Sequence, residues 1–156
     1  MKAGIDHIGI STSFYCNDGE GNFLFHLRTD QCRDEHNRWD TGAGKLEFGL
    51  TPEENVRKEV LEEYGCEAII QDRIPAHSIL RELNGVKTHW LALPHFVQID
   101  PRQARICEPH KMKELGWFRL NALPEPLHTG FAYTLRHYPE YFKKYETALA
   151  PMTIPA

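Results

Sequence analysis

Short apolar runs alternate along the chain with polar breaks that carry glycine or proline, and the period changes from one run to the next. Residues 7–15 and 22–28 hold β-branched and aromatic side chains on either side of Asn17-Asp18-Gly19-Glu20-Gly21, a cluster suited to positive φ. They predict a strand, a loop and a second strand. The polar stretch 29–41 reads as a surface loop. At Thr51 the pattern becomes helical: the hydroxyl caps, Pro52 fits the first helical position, and Glu54 completes a Ser/Thr-x-x-Glu capping box. Gly65 supplies a left-handed stop, so a helix is expected over Pro52–Tyr64. On that helix Val56, Val60, Leu61 and Tyr64 share one arc, predicted to pack. Residues 68–80 and 86–99 are rich in Ile, Leu, Val and Trp and flank Asn84-Gly85, a favoured hairpin turn. Two long antiparallel strands follow from this. Residues 112–120, with Trp117 and Phe118, predict one more short strand, and the aromatic spacing of 129–147 predicts a terminal helix broken or restarted at Pro139. The order β, β, α, β, β, β, α describes an α/β layered domain with a mixed sheet.

The 156 residues fit one domain, with its core at about 5–147. An apolar content of 41% supports a real core and excludes intrinsic disorder. Lys and Arg number 18 against 22 Asp and Glu, a net charge of −4, which argues against a broad nucleic-acid surface. Anionic substrates then need locally placed cations or a metal. Cys16, Cys32, Cys66 and Cys107 form no C-x-x-C pair and read as reduced thiols. The first fifteen residues lack the continuous apolar region of a signal peptide, and no later run reaches membrane-spanning length, so a cytoplasmic protein is expected. No repeat, low-complexity tract or linker divides the chain.

The predicted helix carries the chemistry. Glu59, Glu62 and Glu63 fall on a second arc, as like-charged i,i+3 and i,i+4 pairs that cost about 0.2–0.5 kcal/mol each without a counter-ion. A divalent cation reverses that sign, and hard oxygen ligands on one rigid face suit Mg²⁺ or Mn²⁺, which take their remaining ligands from water and phosphate. Solvated glutamates balanced by Arg57 and Lys58 are the plainer account of such a triplet. The preceding segment shifts the balance, because Gly42, Gly44 and Gly49 bring bare backbone towards a ligand.

In these residues the sequence resembles the Nudix hydrolase family, whose signature is G-x5-E-x7-R-E-U-x-E-E-x-G-U, with U apolar. Gly44 matches the first glycine, Glu59-Val60-Leu61-Glu62-Glu63 the E-U-x-E-E core, and Gly65-Cys66 the end. The resemblance implies a Nudix-like α/β/α sandwich and a pyrophosphohydrolase. It also implies Mg²⁺ or Mn²⁺ held by Glu59, Glu62 and Glu63, with the Gly44 carbonyl as a further ligand. Two positions depart from the pattern: Leu50 stands where the signature has its first glutamate, and Lys58 where it has arginine. Leu50 accepts no hydrogen bond and Lys58 lacks the bidentate fork, so a brace between loop and helix is lost or replaced.

Gly44-Lys45-Leu46-Glu47-Phe48-Gly49, followed by Glu108-Pro109-His110-Lys111 and Trp117-Phe118, looks like the branch that cleaves nucleoside triphosphates. A subclass that cleaves ADP-ribose has a proline where this chain has Arg81. The expected reaction is attack of water on phosphorus in a nucleoside diphosphate linked to another group, with a small-molecule nucleotide as substrate. Glu108 is a candidate base or fourth metal ligand. Arg28, Glu47 and Trp117 are candidates for substrate contact, set against ordinary surface or core roles. His89 and His95 read as structural. Other readings are a nucleotide-binding module that has lost activity, an ADP-ribose or nucleotide-sugar pyrophosphatase, and, on the same fold, a diphosphate isomerase. A homodimer is the commonest assembly for such a domain.

Overall fold

The computed structural model describes residues 1–147; the part of the expected single domain at 148–156 lies outside the described residues. Nine strands and three helices follow in chain order: β1 Gly9–Asn17, β2 Asn22–Arg28, β3 Trp39–Asp40, β4 Ala43–Lys45, α1 Pro52–Tyr64, β5 Ile69–Arg73, β6 His77–Leu83, β7 Val86–Ala92, β8 His95–Gln98, β9 Met112–Arg119, α2 Thr129–His137 and α3 Lys143–Thr147, with a 3₁₀ turn at Pro139–Tyr141 between the last two. The α/β class and mixed sheet are as expected.

β1 is the central strand. It runs parallel to β7 along Gly9–Ser11 and parallel to β8 along Phe14–Asn17, and it is antiparallel to β4 and, at Asn17, to β2. β2 continues the sheet through β9 and β3, while β6 and β5 lie outside β7 and β8. Where two long hairpin strands were expected, four shorter ones form. Breaks at Ile74-Pro75-Ala76 and Leu93-Pro94 split them, because proline donates no ladder hydrogen bond. The split lets one hairpin serve two stretches of β1.

Alternation along the strands sorts the core into two layers. Phe14, Cys16, Leu24 and Val97 pack with Val56, Val60 and Tyr64 of α1. Their strand neighbours Tyr15, Phe23, Phe25 and Phe96 face the other way and pack with Phe131, Phe142 and Tyr145. The sheet is therefore covered on both sides, which gives the α/β/α sandwich.

α1 is bounded as its caps dictate. Thr51 Oγ1 accepts from the Glu54 amide, Glu54 Oε1 accepts from the Thr51 amide, and Gly65 at φ 71° closes the last turn onto Leu61 O. Leu61, expected to pack, is 57% exposed, since among the described residues no element covers that flank of the helix. Asn55 instead is fully buried. The terminal helix breaks at Pro139 as expected.

Candidate active site

A cleft of about 700 Å³ opens between β1, β4, β7, the C-terminal half of α1 and the loop after β2. Its walls include Gly44, Lys45, Glu47, Glu59, Glu63, Arg28, His26, Asp40, Lys111, Trp90 and His128. Gly44 touches Glu59 so closely that a Cβ there would lie 2.2 Å from Cδ and 2.3 Å from Cγ of the glutamate. Bare backbone is needed at this place for want of space.

The loop from Gly44 to Glu47 is pinned by one side chain. Asn55 Nδ2 donates to Thr12 Oγ1 (2.8 Å) and to Lys45 O (3.2 Å), and Asn55 Oδ1 accepts from the Glu47 amide (3.2 Å). Thr12 Oγ1 in turn donates to Gly44 O (3.2 Å). This network replaces the brace that Leu50 and Lys58 cannot form. Lys58 adds a second tie: its Nζ lies 2.6 Å from Glu62 Oε1, 3.1 Å from Glu47 Oε1 and 4.0 Å from Glu59 Oε1. Hydrogen bonds to Glu62 and Glu47 hold the ammonium protonated far above the usual lysine range.

The acids differ in setting. Glu63 is only 4% exposed, and burial, then the charges of Glu59, Asp40 and Glu108, push its carboxyl well above the usual range. Glu59 is pushed up by burial and by the Glu62 charge. Glu62 lies on the exposed flank, turned to Lys58. Glu108, far away in sequence, arrives because the Arg105 and Cys107 amides cap the helix by donating to Tyr64 O and Glu63 O. Its Oε1 is buried and accepts no hydrogen bond; Lys111 Nζ stands 3.5 Å away. Among the described residues no three acid, histidine or cysteine side chains are already drawn together as a metal cage. The donors nevertheless suit a hard cation: the buried carboxylate of Glu63, the part-buried one of Glu59, that of Glu108 with a buried oxygen that accepts no hydrogen bond, and the Gly44 backbone against Glu59.

The other candidates fall differently. Arg28 ends β2 as expected, but its guanidinium is committed to Asp40 Oδ2 and Asp34 Oδ1, each at 3.1 Å, and so organises the wall of the cleft. Trp117 is not among the lining residues; alternation along β9 turns it onto the α1-side core. Glu47 lines the cleft and is half exposed.

Sequence reasoning passed over the polar floor. His26 Nδ1 lies 2.6 Å from Tyr64 Oη, which donates to Thr41 O at 3.0 Å, so His26 carries its proton on Nδ1. Burial pushes His26 down to about 4. Burial alone would raise Asp40, yet His128, His26, Arg28 and the Thr41 amide outweigh it and hold its carboxyl well below the usual range. Across the cleft, Glu35 accepts from Arg81, His128 Nε2, and the Thr129 amide and hydroxyl, which fastens the 29–38 loop to the start of α2. The available signal was the period of two: Ser11 and Ser13 alternate with the buried Thr12 and Phe14 of β1 and line the cleft.

The model of the family described as NUDIX domain matches residues 8–138. The chain belongs to the NUDIX family. It is a Nudix pyrophosphohydrolase by that membership. Its fold is similar to that of a MutT NUDIX hydrolase from Burkholderia pseudomallei, with a TM-score of 0.74 and 23% identity over 85% of this chain and 99% of that one. A Nudix hydrolase from M. smegmatis, RenU, gives 0.67 and 16% over 88% and 86%. A UDP-X diphosphatase gives 0.64 and 14% over 96% and 66%. No curated protein matches the sequence. Among the described residues no helix is long and apolar enough to cross a membrane.

Proposed function

We propose that this Nudix domain hydrolyses a phosphoanhydride bond in a nucleoside diphosphate linked to another group, with a nucleoside triphosphate as the best-fitting substrate and Mg²⁺ or Mn²⁺ as cofactor. The observation that carries the reading is the crowding of buried Glu63 with part-buried Glu59, which packs on the Gly44 backbone, and with Glu108, whose charge acts on both. Glu59, Glu62, Glu63 and the Gly44 carbonyl would hold the metal, with Glu62 released from Lys58. When bound, the ion supplies charge neutralisation at phosphate oxygens and a lowered pKa for bound water.

The chain's own groups do the rest. Lys45 and Lys111, both on the cleft wall, face the phosphates. Arg28, held by Asp34 and Asp40, fixes the loop that borders them. Glu108, whose charge acts on Glu59 and Glu63, would accept the proton of the attacking water. The substrate partner is a small-molecule nucleotide, and the expected setting is cytoplasmic.

A second reading, a catalytically impaired nucleotide-binding Nudix module, is favoured by the 2.6 Å tie between Lys58 and Glu62, which occupies one expected ligand. One assay separates the two: nucleoside triphosphates, dinucleoside polyphosphates, nucleotide sugars and ADP-ribose with Mg²⁺ or Mn²⁺, followed by identification of products. Turnover that EDTA abolishes and Glu63→Gln reduces by orders of magnitude supports the hydrolase. Nucleotide binding without metal-dependent cleavage of any compound supports the module instead.

A further inference from the structure

The cleft reaches beyond the acids to a tryptophan that the proposed chemistry does not use. Trp90 stands on β7, and its indole packs against bare backbone: a Cβ on Gly4 would lie 2.3 Å from its Nε1, and one on Gly9 would lie 2.5 Å from its Cε3. The Gly4 segment is fixed there by the His89 amide, which donates to Gly4 O at 2.8 Å. Nε1 is buried and has no acceptor among the described residues. What the ring offers the cleft is therefore its π-face. Arg33 lies over the ring with Cζ 5.7 Å from the centroid. Its side chain is 60% exposed, and Asp34 Oδ2, its ion-pair partner, is 3.7 Å away.

The spacing has a use. Stacked atoms sit about 3.5 Å apart, so a flat ring held between indole and guanidinium needs about 7 Å. Arg33 has to lift by only about 1–2 Å, and its exposed side chain is free to do so. β1 alone separates β7 from β4, and Trp90 pairs with Gly9, two residues before Ser11, the partner of Lys45, so the backbones of Trp90 and Lys45 lie about 12 Å apart across the sheet. This is the direction in which a nucleotide extends when its phosphates lie at Glu59 and Glu63. Glu35, on the loop that carries Arg33, already accepts from Arg81, His128 and Thr129.

We propose that Trp90 is the stacking platform for the planar base of the substrate and that Arg33 closes over its far face. The cleft thereby selects phosphoanhydrides that carry an aromatic ring and is tolerant of which base it is. The proposal rests on the phosphoanhydride-hydrolase reading for the position of the phosphates. Stacking of a base on an aromatic side chain is insensitive to base identity and is large enough to change affinity by about 5- to 100-fold.

The test compares GMP with ribose 5-phosphate, which keeps the sugar phosphate and lacks the ring, by calorimetric titration of the full chain in EDTA. Wild type is expected to bind GMP about 5- to 100-fold more tightly than ribose 5-phosphate. Trp90→Leu should bring that ratio close to one, and Trp90→Phe should restore most of it. Arg33→Ala, on an exposed side chain, should lower the ratio several-fold and serves where Trp90→Leu does not fold. In turnover, both variants should raise KM for nucleoside triphosphates more than they change kcat. Equal affinity of wild type for the two compounds, including no measurable binding of either at millimolar concentration, overturns the proposal, as does a ratio that neither variant lowers. Failure of the hydrolase reading would show separately, as absence of metal-dependent turnover, while the metal-free titration still decides the role of Trp90.

Discussion

Lys58 donates to Glu62 across one turn of α1 at 2.6 Å, and the same ammonium reaches Glu47 and lies within 4.0 Å of Glu59. A cation built into the helix thus sits among acids that the proposed site needs for a metal. Binding of Mn²⁺ has to take Glu62 away from Lys58 and tolerate the ammonium nearby. Lys58→Met removes both obstacles. Calorimetric titration of the metal-free protein should show Mn²⁺ binding several-fold more tightly to the variant. Weaker binding would mean that Lys58 supports the acids and does not compete for them.

Asn55 ties three partners on two neighbouring segments from a fully buried side chain. Asn55→Ala leaves the Glu47 amide and Lys45 carbonyl without their partner and opens a small void. A loss of about 2–4 kcal/mol in urea unfolding is expected. Turnover should fall as well, because Gly44 is held through Thr12, which bonds to Asn55. Unchanged stability would show that the loop is fastened elsewhere.

The helix was legible because its signals are local: Thr51, Glu54 and Gly65 act within one turn of themselves, and the glycine and acid spacing of the box follows from them. The brace was not. Asn55 is a polar residue in the first turns of a helix, where exposure is the rule, and only the approach of Thr12 and Lys45 from other segments makes it a core group. Glu108 comes to the acids through two backbone bonds from Arg105 and Cys107 that no spacing encodes. β3 and β4, with two and three residues, are too short to show a period and exist because β2 and β1 offer them an edge. Trp117 and Trp90 are both strand tryptophans, and which one faces the cleft depends on register, so composition could not choose between them.

Gly44 and Glu59 give a substitution that separates function from fold. A Cβ at Gly44 meets Glu59 Cδ and Cγ, the mobile end of a side chain, and meets no backbone closer than these. Gly44→Ala can therefore be accommodated by swinging Glu59 away, at about 1–3 kcal/mol or less. The displaced carboxylate no longer shares a site with Glu63. The expected result is a melting temperature within several degrees of wild type together with a loss of about 100-fold or more in kcat/KM. Near-wild-type turnover would remove Glu59 from the proposed metal ligands.

His26 sets a pH dependence of definite sign. Its Nδ1 proton is spent on Tyr64 Oη, so a second proton would go to Nε2 in a buried place, and burial holds the group down to about 4 against an ordinary value near 6.5. Between those values the unfolded chain takes up the proton and the folded chain does not, so stability from this group is lost as pH falls from about 6.5 towards 4, by up to about 3 kcal/mol. Glu63, pushed upward, works in the opposite sense: its cost to the metal-free fold is present at neutral pH and relieved as pH falls. The raw curve sums the two, and a variant isolates one. His26→Gln keeps a donor for Tyr64 and cannot titrate. The difference in unfolding free energy between wild type and His26→Gln in EDTA should stay level above about pH 7 and then move against wild type down to about pH 4. A difference that is flat across this range would show that His26 takes up its second proton without cost.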